Sequence, residues 1–132
     1  MTMRIAIALA LLVESACVAG RHPHWTNRVP AAAQAAGNPY AGDAEAARAG
    51  AKLYAEYCAS CHGRNAEGIG GKPALRSPLV RNASPGALFW LVTNGVIDKR
   101  MPAWAYLPEE QRWQLVTWLQ HGSPLIIKRW GQ

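Results

Sequence analysis

Five consecutive residues, Cys58-Ala59-Ser60-Cys61-His62, constrain this chain more than anything else in it. Cys-x-x-Cys-His is the attachment signature of a c-type haem. Its two thiols add to the two vinyl groups of one porphyrin, and the next residue brings an imidazole nitrogen to the iron. At ordinary cysteine and histidine usage the three fixed residues recur by chance on the order of once in a thousand such chains. A prosthetic group also supplies what the rest of the sequence lacks. The helical signals are short and separated by glycine-rich stretches. Three modest helices bury too little apolar surface to hold a domain of about 80 residues without something further at its centre.

Other readings of the motif stand beside this one. A zinc site needs four ligands; the motif offers three with no second cysteine pair, so His22, His24 or His121 would have to complete it. A thioredoxin-type dithiol sits where a strand leads into a helix, whose N-terminus lowers the thiol pKa. Here a helix precedes the motif and Gly63 follows it, the opposite polarity. A disulfide between Cys58 and Cys61 leaves His62 without a role.

The helical signals begin at Asp43, an N-cap for a helix over Ala44–Tyr57. Ser84-Pro85 is a cap followed by proline at the first helical position, and Gly95 closes the segment Gly86–Asn94. Pro108 opens Glu109–His121, with two acids in the first turn and Gly122 at the end. On this last helix Leu115, Trp118 and Leu119, with Trp113 nearby, form an apolar stripe. Residues 63–81, with Gly63, Gly68, Gly70, Gly71, Pro73 and Pro78, read as loop. No strand-like alternation is long enough for a sheet. The expected fold is all-α, a single domain over residues 43–122.

Ahead of that domain, residues 1–19 have the layout of an export signal: a positive charge within Met1–Arg4, an apolar run Ile5–Val13, then small residues at Ser15, Ala16 and Ala19. The run is far short of the ~20 residues of a membrane span. Cys17 directly follows it, where an exported lipoprotein carries its acylated cysteine, although Glu14 stands where the lipoprotein cleavage box has an aliphatic residue. The alternative is cleavage near Ala19 or Gly20. Residues 20–42, with Pro23, Pro30, Pro39 and an alanine-rich patch, read as a flexible linker. Residues 123–132 are a C-terminal tail with no assignable role.

The second axial ligand of a haem separates electron carriers from enzymes and sensors, because Met/His ligation raises the reduction potential. With the export signal removed, Met101 is the only methionine. It follows Lys99-Arg100 and precedes Pro102-Ala103-Trp104 in a loop between helices, a poor context for a core filler. His121 is the rival ligand, but it ends a helix.

With these residues the chain resembles a small bacterial, exported class I monohaem cytochrome c. Cys58-Ala59-Ser60-Cys61-His62-Gly63 carries the attachment motif and Lys99-Arg100-Met101-Pro102-Ala103-Trp104 matches the methionine loop; the resemblance covers Asn38 to Gly122. It implies one haem c bound covalently by Cys58 and Cys61, with His62 and Met101 as axial ligands. It also implies that the Pro73 carbonyl accepts the imidazole N–H, a bond that fixes ring orientation and ligand basicity. Leu75 would pack on the haem, and Gly50 with Tyr54 would cross Trp118 and Leu119. The implied role is single-electron transfer, not catalysis, between redox proteins such as a periplasmic dehydrogenase or a terminal oxidase. No nucleic-acid partner is expected. A haem enzyme or ligand sensor with an open or displaceable sixth site is the alternative.

The net charge of +6 is mostly peripheral. Residues 43–122 hold nine Lys/Arg against seven Asp/Glu, and Arg21, Arg28, Lys128 and Arg129 lie outside them, where anionic lipid is as good a partner as protein. Within the domain Arg64, Lys72, Arg76, Arg81, Lys99 and Arg100 outnumber Glu67 and Asp98 on the stretches that border the haem in the family's fold, a basic rim suited to an acidic partner.

Overall fold

The computed structural model describes residues 24–121. The expected export signal, Cys17, His22 and residues 123–132 lie outside the described residues. Among those described the secondary structure is helical, with a single isolated antiparallel bridge between Val96 and Met101. A 3-10 turn, His24–Arg28, leads into helix α1, Ala31–Gln34. Helix α2 spans Ala44–Tyr57, α3 Ala59–His62, α4 Pro78–Arg81 and α5 Pro85–Asn94. A second 3-10 turn, Ile97–Lys99, precedes the last helix, α6, Glu109–His121.

The starts of helices α2 and α5 follow from their caps. Asp43 accepts from the backbone N–H groups of Glu45 and Ala46 at 2.8 and 3.1 Å, satisfying donors the first turn leaves open. Ser84 does the same for Ala87, with Pro85 at the first helical position. Helix α4 uses that device too, Ser77 with Pro78, inside a stretch the sequence reads as loop.

Helices α2 and α6 cross at Gly50. A Cβ there would fall on the backbone carbonyl of Gln114 and against Trp118 Cβ, so only glycine lets the two backbones come this close. One turn further along α2 the ring of Tyr54 packs on Trp118, centroids 4.1 Å apart. Leu115, Val116, Trp118 and Leu119 of α6 are buried in the core with Tyr54, Leu88 and Val92. Between α5 and α6, Phe89 stacks on Trp113 at 4.0 Å, and Arg112 lies over the Phe89 ring while donating to Thr93 Oγ1 at 2.7 Å.

Residues 24–42 depart from the expected flexible linker: they fold onto the domain as a strap. Val29 and Thr26 are buried, and Val29 packs with Ala87 and Leu91 in a second small cluster. Gly86 admits the strap, because a Cβ there would collide with the Ala33 carbonyl. Arg28 donates twice to the Asp98 carboxylate, at 2.6 and 2.8 Å, and Asn38 donates to Thr117 Oγ1 at 2.9 Å. The reason is tertiary. Each strap element is too short to show a period of its own, and its few apolar residues find partners on α5 and on the main core.

Candidate functional site

The dithiol motif occupies the bend where α2 gives way to α3. Cys58 closes α2, donating to the Tyr54 carbonyl at 2.9 Å, and its own carbonyl accepts from Cys61 and His62 at 3.2 and 3.0 Å. That single turn puts the two cysteines one turn apart with the histidine directly after the second, Cys58 half-buried against the core and Cys61 exposed. Gly63 stops the turn with φ +89°, a backbone conformation that suits glycine.

His62 is held from behind. Its Nδ1 lies 2.9 Å from the Pro73 carbonyl, so the ring donates there and Nε2 is the nitrogen left to bind a metal. The loop between them is folded on itself: Gly68 N–H donates to the His62 carbonyl at 2.7 Å and Leu75 N–H to the Ala66 carbonyl at 2.9 Å. Leu75 is half-buried against the core cluster.

Met101 sits in a tight turn of its own. Val96 and Met101 exchange backbone hydrogen bonds of 3.0 and 3.1 Å around the Ile97–Lys99 turn, and Arg100 adopts the left-handed conformation at φ +63°. Gly95 is obligatory at the mouth, because a Cβ there would lie 2.5 Å from the Met101 carbonyl oxygen. Trp104 N–H donates to the Val92 carbonyl at 3.0 Å, tying the far side of the turn to α5. The histidine loop and the methionine turn are neighbours: Lys72, adjacent to Pro73, donates to the carbonyl of Lys99, two residues before Met101, at 3.2 Å. His121, the rival ligand, is exposed at the end of α6.

The geometry weighs against the other readings of the motif. Burial, and secondarily the nearby Cys61, pushes the Cys58 thiol up to about 12, the reverse of the depressed thiol of a redox dithiol. Among the described residues no three His, Cys, Asp or Glu side chains gather where they could hold a metal ion, which a zinc site requires. Two thiols one turn apart, an imidazole with a single free nitrogen and a methionine turn packed beside the histidine loop fit a haem.

Two features of this site were not legible as such in the sequence. Arg28, by sequence a tail charge as open to lipid as to protein, engages Asp98 at the base of the methionine turn, beside Lys99, which also acts on that carboxylate. The hydroxyl of Tyr54 donates to the Gly63 carbonyl at 2.7 Å, beside His62. Tyrosine rather than phenylalanine at a helix crossing was its only sequence signal.

Residues 45–119 match the family model described as cytochrome C oxidase, cbb3-type, subunit III. No curated protein matches the chain. Because the match covers more than half of the sequence and embraces the dithiol turn, the histidine loop and the methionine turn, this protein belongs to that family of c-type cytochrome domains, electron carriers whose cofactor is one covalently bound c-type haem.

Proposed function

We propose that the protein is an exported single-electron carrier that catalyses no reaction of its own, with its haem joined to Cys58 and Cys61 and its iron held by His62 and Met101. When bound, the haem supplies a one-electron iron couple. The residues set the conditions for it. Pro73 holds the His62 ring in one tautomer and orientation, and the Val96–Met101 bridge holds the methionine backbone whatever the charge on the iron. The observation that carries the reading is the contact of Lys72 with Lys99, which sets the two ligand-bearing loops side by side.

The partner we propose is an acidic redox protein of the periplasm. The family's description, a terminal oxidase subunit, favours the oxidase side over a dehydrogenase. Lys72, Lys99 and Arg100 border both ligand loops, and Ile69 and Ile97 are exposed on the same loops. An apolar patch edged with positive charge suits a small, short-lived interface steered by long-range attraction. Reversing Lys99 and Arg100 to glutamate together, which leaves Lys72 on the Lys99 carbonyl, lowers the rate of electron exchange with an acidic partner on the order of tenfold or more at low salt, with the effect fading as salt screens it. Stopped-flow measurement across ionic strength reads this. Equal rates for parent and variant at every salt would move the docking face elsewhere.

We further propose that Cys17 carries lipid. Because the strap begins at His24, the seven steps from Cys17 would then reach at most about 25 Å between the anchor and the folded strap. The domain would thus be kept close to the membrane on a short leash. Fractionation checks it: Cys17→Ser should release the protein from membranes, and an equally membrane-bound variant places the anchor elsewhere.

A further inference from the structure

The α2–α6 crossing contains a hydroxyl that its packing does not need. Tyr54 is 2% exposed, and its contact with Trp118 is made by the ring, which phenylalanine would supply equally well. Burying a hydroxyl costs free energy unless it is hydrogen-bonded. Tyr54 meets that need neither on its own helix nor on α6 but on the Gly63 carbonyl, nine residues away and directly after His62. Burial, with smaller contributions from Cys58 and Glu67, pushes this phenol up to about 12, so it remains a donor through the ordinary pH range.

The surroundings explain what that bond can do. Helix α3 is a single turn ending at His62, and the residue that follows is a glycine in a left-handed conformation with no side chain to fix it. The Gly63 carbonyl takes two donors, the Tyr54 hydroxyl at 2.7 Å and Ala66 N–H at 3.0 Å. The second comes from the same loop; the first comes from the close crossing of the two longest helices. His62 is therefore held at two points from different parts of the fold: its ring by Pro73, its trailing main chain by Tyr54.

Resting on the assignment of His62 as an axial ligand, we propose that Tyr54 is a positioning residue for the haem iron, its hydroxyl locking the main chain that carries His62 and so setting the orientation of the imidazole. The bond also makes the helix crossing and the iron site one mechanical unit.

The test compares Tyr54→Phe with Val29→Ala in the haem-loaded protein. Val29 is buried in the separate cluster under the strap, so its truncation lowers stability without touching the His62 segment. In Tyr54→Phe the haem stays attached, but the paramagnetically shifted haem-methyl resonances of the ferric protein, which report the angle of the imidazole plane, redistribute, and the midpoint potential moves. Amides of residues 59–68 exchange roughly three- to tenfold faster, the loss expected of one buried hydrogen bond. Val29→Ala keeps the parent methyl pattern. If Tyr54→Phe fails to retain haem, 3-fluorotyrosine at position 54, which keeps the ring and changes only donor strength, must shift the same resonances. A parent-like methyl pattern and potential in the hydroxyl-altered protein, whatever its stability, overturns the proposal. Absence of bound-imidazole resonances in the parent would instead overturn the His62 assignment, and that is seen before any variant is compared.

Discussion

Gly50→Val severely destabilises the folded state of this protein, lowering the urea midpoint far below that of the parent. The added Cβ would occupy the position of the Gln114 backbone carbonyl, and the atoms it meets are main chain and the first side-chain carbon of Trp118, neither of which can swing aside. Relief requires α2 and α6 to separate, which breaks the Tyr54–Trp118 ring contact and opens the largest buried cluster. Overpacking usually costs about 1–3 kcal/mol where side chains can adjust. Here the backbones themselves must move, so the loss lies at or above about 3 kcal/mol, a large fraction of the roughly 5–15 kcal/mol that holds an ordinary domain together. Urea unfolding followed by tryptophan fluorescence measures it. The matched control is Gly37→Val: nothing lies within 4 Å of a Cβ at that glycine, so its stability stays close to that of the parent. Comparable losses in both variants would mean that Gly50 is not the point of closest approach.

Met101→Ala leaves the fold and the haem in place and changes the iron. The methionine turn is set by the Val96 bridge, by Gly95 and by Trp104 N–H on Val92, none of which needs the Met101 side chain. The variant therefore presents the same backbone with an open sixth position. Axial ligand identity spans roughly 0.8 V of haem potential, and loss of a thioether that favours the reduced iron lowers the midpoint on the order of 0.1 V or more. On the proposed ligation the reduced variant also binds carbon monoxide, which a Met-ligated parent excludes. A variant with the parent's potential and no affinity for carbon monoxide would transfer the sixth ligand away from Met101, to His121 or beyond.

The parts of the molecule that were legible in advance are those whose cause is local in sequence. Helices α2, α5 and α6 announce themselves by Asp43, Ser84-Pro85 and Pro108. The close crossing at Gly50 and the Pro73 contact with His62 were legible only through the resemblance to class I cytochromes c. The strap was not legible. Trp25, Val29 and Ala33 acquire their meaning only from the α5 surface they meet, and no period within residues 24–42 reports it. Helix α4 was lost for a smaller reason: Ser77-Pro78 repeats the cap of α5, but the glycines around it dominated the reading of residues 63–81. The Arg28–Asp98 pair and the Tyr54–Gly63 bond join residues 70 and nine positions apart, and side-chain pairing of that kind depends on the finished fold.

The strap also changes how charge should be read. Arg28 sits outside the family match at residues 45–119, yet its partner Asp98 lies at the foot of the methionine turn. Both side chains are about half exposed, so the pair contributes little to stability in salt. Its effect is on the local field: Arg28 brings a further positive charge to Asp98, beside Lys99, so the acid is offset within the basic rim proposed for docking.

Everything above depends on a haem joined to the chain at Cys58 and Cys61, and the most direct test is the intact mass of the protein after denaturation, expressed together with a haem-attachment system. The account predicts a polypeptide heavier by one haem, with the increment lost in the Cys58→Ala, Cys61→Ala double variant. A denatured mass equal to that of the bare polypeptide, or an increment that survives removal of both cysteines, would contradict it.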